Sequence, residues 1–188
     1  DTDRSRGLGD VYKRQALNGL AEGTAQEEEA FKIELLMKQA HITVEDRKVV
    51  DAALKRAEET NGPAAAMELP NGQIITGKTS CLLGASSALL LNALKNLAGL
   101  NDELHLISPS VIEPIQKLKT EYLGSINPRL HTDEILIALS ICAATDDNAK
   151  LALEQIPKLS GCQAHTSVML SSVDIKQFKR LNVQLTSE

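Results

Sequence analysis

An α/β fold, a three-layer α/β/α sandwich around a mixed sheet and preceded by an αα-hairpin, is what this sequence predicts. Three observations carry that expectation. From residue 63 onward, short runs of strand-forming residues alternate with longer runs of helical period. An Asn71-Gly72 pair stands between two of the short runs, and Asn-Gly is the strongest local signal for a hairpin. Upstream, Thr24 with Glu27 and Thr43 with Asp46 each open a run of helical period.

The first helix places Phe31, Leu35 and Leu36 on one side and Glu28, Lys32 and Gln39 largely on the other. The second repeats Val49, Val50, Ala53, Leu54 and Ala57 at helical spacing until Asn61-Gly62-Pro63 stops it. Together they form a hairpin segment over residues 16–62 whose apolar stripe is too thin to stand alone. The α/β domain then occupies 63–188. Residues 66–69 and 73–77 are extended runs flanking the Pro70-Asn71-Gly72 turn. A helix over 82–98 is apolar nearly all round, through Leu89, Leu90, Leu91, Leu94 and Leu97, and is therefore buried; Gly99 stops it. Residues 104–108 are expected as a strand ending at Pro109. Ser110 with Glu113 starts a helix reaching 122, and Gly124 ends it. A polar turn at 127–134 leads into a buried helix over 135–144. Asp146-Asp147 starts another, which Pro157 terminates. Residues 163–170 alternate as a strand, Ser172 caps a helix to 180, and 183–186 form a last strand.

Hydrophobic residues make up 43% of the 188 and charged residues 24%, enough apolar mass for a globular core. With two Phe, two Tyr and no Trp, that core is aliphatic. The same scarcity removes the stacking platforms of single-strand binders. A net charge of −5 opposes a phosphate-backbone partner, so no nucleic acid is expected. Ser, Asn and Lys interrupt the longest apolar run short of a membrane span, and no secretory signal is visible. The expectation is a cytoplasmic protein with no membrane partner. Cys81, Cys142 and Cys162 include no C-x-x-C pair, so no zinc or dithiol centre is written, and no metal is expected.

Residues 1–15, with Ser5-Arg6-Gly7-Leu8-Gly9-Asp10-Val11-Tyr12-Lys13-Arg14-Gln15 at their centre, look like a translated sequencing adapter, which puts the natural start near Ala16. A polar N-terminal tail is the alternative, and neither supports fold reasoning.

Gly72, Gly77, Lys78 and Thr79 satisfy the phosphate-loop pattern G-x-x-x-x-G-K-[ST]. The four intervening residues, Gln-Ile-Ile-Thr, form strands rather than loops, and Pro70-Asn71 is a turn where a buried strand should stand. Nucleotide binding at Gly72–Thr79 is thus the least favoured reading. A simpler one is that Lys78, Thr79 and Ser80 begin a helix whose free N–H groups attract an anion, against the alternative that Thr79 or Ser80 merely caps it. The second candidate stretch is Arg129, His131, Asp133 and Glu134. It offers a bidentate anion clamp, an imidazole that titrates near neutrality, and two carboxylates. His131, Asp133 and Glu134 are the catalytic candidates, with either carboxylate as a general base. The alternative is an ordinary acidic first turn answering the helix dipole. Cys162 and His165, three apart on a strand, point to opposite faces and cannot share a metal. His41 and His105 are expected to be structural or solvent-facing, and Cys81 and Cys142 to be core or near-core thiols.

The segments Leu-Pro-Asn-Gly-Gln-Ile-Ile-Thr-Gly-Lys-Thr-Ser (69–80), Leu-Leu-Gly-Ala-Ser-Ser-Ala-Leu-Leu-Leu-Asn-Ala-Leu-Lys (82–95), Asn-Pro-Arg-Leu-His-Thr-Asp-Glu (127–134) and Gly-Cys-Gln-Ala-His (161–165) occur in this order. With them the chain resembles the uncharacterised bacterial proteins of domain-of-unknown-function family 1846, over residues 16–188. The resemblance implies the middle helical part and most of the C-terminal domain of longer proteins, with an N-terminal domain missing and the extreme C-terminus truncated. It also implies a cytidine-deaminase-like sandwich, without an activity. A zinc deaminase needs H-x-E and P-C-x-x-C, whereas this chain has His131-Thr132-Asp133 and no C-x-x-C.

The leading functional expectation is a small anionic ligand held by Lys78, Thr79, Ser80, Arg129 and His131, with cofactor and reaction unassigned. One shared site requires Lys78 and Arg129 on the same side of the fold. The competing expectation is a structural domain whose polar turns only cap helices, the chemistry lying in the N-terminal domain. An uncovered stripe on the first helix and an open edge at 183–186 would further promote self-association.

Overall fold

The computed structural model describes residues 27–39 and 47–188. The adapter-like segment, the Thr24 and Thr43–Asp46 start signals and His41 lie outside the described residues. Helix α1 spans Glu27–Gln39 and α2 spans Lys48–Thr60. Asn61, in the left-handed conformation at φ 48°, ends α2 as the Asn-Gly-Pro signal requires.

Four strands follow, β1 (Ala64–Glu68), β2 (Ile74–Lys78), β3 (Gln163–Thr166) and β4 (Gln184–Ser187), in the order β2-β1-β3-β4. β1 pairs antiparallel with β2 and β3, and β3 pairs parallel with β4, so the sheet is mixed. The β1–β2 loop is the expected hairpin. Gly72 N–H donates to Leu69 O and Leu69 N–H to Gln73 O, both at 2.8 Å, with Gly72 at φ 80°.

Successive β1 residues serve opposite faces, as a pleated strand demands. On one face Ala66 meets Val49 and Ala53 of α2. On the other, Ala65 and Met67 join the larger core with α3 (Ala85–Leu97). That core continues through Ile135, Ala138 and Leu139 of α5 (Thr132–Cys142), Ala149 and Ala152 of α6 (Asp147–Leu153), and Phe178 of α7 (Ser172–Arg180). Helices therefore flank both faces of the mixed sheet. The boundary expected at 62/63 falls between α2 and the sheet that α2 covers. Among the described residues no helix is long and apolar enough to cross a membrane.

Gly77 explains half of the phosphate-loop pattern. A Cβ there would lie 2.3 Å from Leu89 N and 2.7 Å from Ala85 O, so α3 rests its backbone directly on β2. Close backbone packing, rather than a phosphate, requires glycine at this position.

Three expectations are corrected. Residues 104–108 form no strand. Leu106 and Ile107 are neighbours in sequence yet both are buried in the larger core, whereas a strand would send them to opposite faces. The next helix, α4 (Pro109–Lys117), is preceded by Ser108 rather than Ser110 and carries Pro109 in its first turn, and a π-helical segment continues it over Leu118–Tyr122. Cys81 is exposed, not a core thiol, because it lies in the loop before α3; Cys142 is half-buried. Cys162 joins the larger core, and the buried His165 hydrogen-bonds Thr186 instead.

Candidate functional site

Two loops that are 43 residues apart in sequence are stitched together at one end of the sheet. Leu130 N–H donates to Leu82 O at 3.0 Å, and Gly84 N–H donates to Leu130 O at 3.4 Å. Ser87 Oγ donates to the same Leu130 carbonyl at 2.8 Å, and Arg129 Nε donates to Ser80 O at 2.8 Å. The chain leaving β3 supplies a third wall through Val168–Ser171. Between these walls lies a cleft of about 270 Å³, lined also by Pro63, Thr79, Gly84, Ser86, Arg129, His131 and Asp174. It sits at the carboxyl ends of β2 and β3, where α/β sheets commonly leave crevices.

The chain 78–80 does not begin a helix. Lys78 is the exposed last residue of β2. Thr79 N–H donates to Pro63 O at 2.9 Å. Ser80 Oγ accepts from Leu82 N and Leu83 N, at 3.2 and 3.1 Å, and so closes a tight turn. The helix starts five residues beyond Ser80, at Ala85, with Gly84 as its N-cap. The nucleotide reading at Gly72–Thr79 fails for the same reason. Ile74, Ile75 and Thr76 are β-branched and pair with Glu68, Met67 and Ala66, so the segment is a hairpin strand and wraps nothing. Of the predicted ligand contacts, the cleft unites Thr79, Arg129 and His131, while Lys78 and Ser80 are not among its walls.

His131 is the N-cap residue of α5, and its imidazole is held from the side. Its Nδ1 lies 3.1 Å from Asp174 Oδ2. Asp174 also accepts from Thr132 N (2.9 Å), Thr132 Oγ1 (2.8 Å) and Ser171 Oγ (2.8 Å). Burial pushes the Asp174 carboxyl upward, but the hydrogen bonds from Thr132, His131 and Ser171 outweigh it and hold the group below the ordinary carboxylate value. An ionised Asp174 fixes the proton of His131 on Nδ1. His131 Nε2 makes no hydrogen bond among the described residues, and the side chain is 29% exposed. Ser171 lies on the Nδ1 side, 3.5 Å away, so Nε2 cannot activate it and this is no Ser–His–Asp nucleophile.

The two acidic candidates answer differently. Glu134 Oε2 accepts from Lys119 Nζ at 2.8 Å and from His131 N at 2.7 Å, so it caps the helix start while pairing with a nearly buried cation. Asp133 Oδ1 accepts from Glu134 N at 2.9 Å within its own first turn. Neither lines the cleft. Arg129 is exposed, and beyond its Nε contact the guanidinium terminal nitrogens have no partner among the described residues.

Ser86, Ser171 and Asp174 escaped the sequence reading. Ser171 and Asp174 are spaced as a capping box, and Ser171 Oγ does accept from Asp174 N at 3.2 Å. That signal marks a helix start and not a partner for His131, which lies 43 residues away. Among the described residues no three His, Cys, Asp or Glu side chains converge as a metal-ligand set.

A family model described as Domain of unknown function DUF1846, C-terminal, matches residues 45–188. A UPF0371 protein of Corynebacterium aurimucosum is 57% identical over 174 residues, which is 93% of this chain and 34% of that protein. A UPF0371 protein of Streptococcus thermophilus is 51% identical over 155 residues, 82% of this chain and 31% of that protein. The chain spans about a third of the length of the curated relatives it matches. With the family model covering 45–188 and these bacterial relatives more than half identical, the chain belongs to the DUF1846 family.

Proposed function

We propose that this domain, as part of a longer bacterial protein, binds a small anionic ligand in the cleft between residues 79–84, 127–131 and 168–171. The observation that carries the reading is the His131 imidazole, with Nδ1 held by buried Asp174 and Nε2 left open in a cleft it shares with Arg129. An imidazole fixed in this way offers Nε2 as an acceptor to a proton on the ligand, or as a donor to an anion when protonated. Arg129 adds two unengaged guanidinium nitrogens suited to bidentate recognition. Thr79 lines the same cleft, whereas Lys78 and Ser80 are not needed. Calorimetric titration with malonate, inorganic phosphate and sulfate tests the reading. At least one binds, and Arg129→Ala weakens it at least tenfold. Binding by none of them, or binding indifferent to both Arg129→Ala and His131→Ala, would overturn it.

A second reading has its own support. Asp174 spends its charge on Thr132, Ser171 and His131, Glu134 neutralises Lys119, and Arg129 ties Ser80. All of these contacts also fasten α5, α7 and the loops into one body. In that reading the domain is structural and the chemistry lies elsewhere in the longer protein. It is distinguished by Arg129→Ala and His131→Ala lowering thermal stability with no anion bound by either variant or by the unsubstituted chain.

A further inference from the structure

Resting on the anion-site reading, we infer that the ligand group is a phosphate, carried as a monoester on an apolar organic body and seated on the N-terminus of α3. Helix α3 is 13 residues long, its N-cap is Gly84, and no side chain caps it. The amides of Ala85, Ser86 and Ser87 find no acceptor among the described residues. Free amides at a helix start, together with the dipole behind them, suit a phosphate.

A bare helix start would not by itself make a site, and Ser86 supplies an independent observation. It is only 3% exposed, it lines the cleft, and its hydroxyl has no partner among the described residues. The hydroxyl still meets the open cleft, so it is available to donate to a ligand seated there. Gly84 supplies the room: a Cβ there would meet nothing nearer than Leu130 O at 4.0 Å, so the space over the helix start is open.

The number of donors selects the ligand class. The Ala85 and Ser86 amides, the Ser86 hydroxyl, two Arg129 nitrogens and His131 Nε2 belong to residues that line one cleft. A carboxylate has about four lone-pair sites, fewer than these donors, whereas the three free oxygens of a phosphate monoester can serve them from several directions. Asp174 also lines the cleft, but its oxygens are already engaged by Thr132, Ser171 and His131. Val168, Met169 and Leu170 give the cleft an apolar wall that a free phosphate would leave uncovered and an ester group would cover.

The test titrates the 188-residue chain with phenyl phosphate, inorganic phosphate and benzoate, and repeats it with Gly84→Asp and Ser86→Ala. Gly84→Asp puts a carboxylate cap on the same amides, so it keeps or raises Tm while lowering phenyl phosphate affinity at least tenfold. Ser86→Ala removes an unpartnered hydroxyl, so it leaves Tm within about 2 °C while weakening binding several-fold. Phenyl phosphate is expected to bind at least fivefold tighter than inorganic phosphate or benzoate. Equal affinity for inorganic phosphate overturns the monoester assignment. Benzoate binding as tightly, or phenyl phosphate binding untouched by Gly84→Asp, overturns the phosphate seat but leaves an Arg129-dependent anion site standing. No binding of any anion removes both.

Discussion

Replacing Asp174 with Ala should be among the most damaging single changes near the cleft, and its cost follows from the contacts it removes. Asp174 is 4% exposed and accepts four hydrogen bonds, two of them from Thr132, which is fully buried. Without the carboxylate, the buried Thr132 N–H loses its acceptor. One such group costs about 1–3 kcal/mol, and hydrogen bonds to a charged acceptor are individually worth about 1.5–3 kcal/mol. The Thr132 hydroxyl can rotate, and Ser171 keeps its contact with the 174 amide, so the total is set at about 3 kcal/mol. For a chain of this size each kcal/mol moves Tm by about 2–4 °C, which gives a fall of about 6–12 °C. Differential scanning calorimetry reads this directly. A fall under about 2 °C would mean that Thr132 finds another partner and that Asp174 does not organise this corner.

Asp174 titrates in the folded chain below its ordinary value of 3.8, so its contribution to stability is complete at neutral pH and is lost as pH falls from about 4 through the folded value. Asp174→Asn should flatten that part of the acid-unfolding profile, and an unchanged slope would contradict the shift. Gly77→Ala forces a methyl into the α3 backbone at 2.3 Å from Leu89 N, and should cost about 3 kcal/mol, at the upper end for overpacking because backbone cannot move aside. Near-normal urea unfolding of that variant would show that β2 and α3 can separate. Glu134→Gln removes the charge facing Lys119, which is 6% exposed but retains the Arg129 carbonyl at 2.6 Å, so the loss should be about 2 kcal/mol by the same unfolding assay. A neutral Glu134→Gln would mean that the Lys119 ammonium is satisfied by the carbonyl.

Local chemistry made parts of the fold legible in the sequence. Asn71-Gly72 between two extended runs could hardly form anything but the hairpin, and the all-apolar face of residues 89–94 required a buried helix. The error at 104–108 has the same origin as those successes. An apolar-rich run of five residues before a proline suggests a strand locally, and only the tertiary position of Leu106 and Ile107, both turned into one core, shows otherwise. At the site, Arg129 and His131 were visible because a cation and an imidazole beside a helix start are unusual cap chemistry. Gly77-Lys78-Thr79 suggests a helix start locally, but Gly77 serves helix packing and α3 begins only at Ala85, which leaves Lys78 at the end of β2. Ser86 and Asp174 were invisible for a different reason. A serine in an apolar helix and an aspartate in a first turn look ordinary until folding brings them to the cleft that holds His131.

An anion on this domain would sit where α3 begins and where His131 and Arg129 open into the cleft. Amide and imidazole NMR spectra recorded through a phenyl phosphate titration test it most directly. The largest shifts should fall on the Ala85, Ser86 and Ser87 amides and on the His131 ring, with one shared saturation curve. Shifts confined to other surfaces, or spectra unchanged at millimolar ligand, would contradict it.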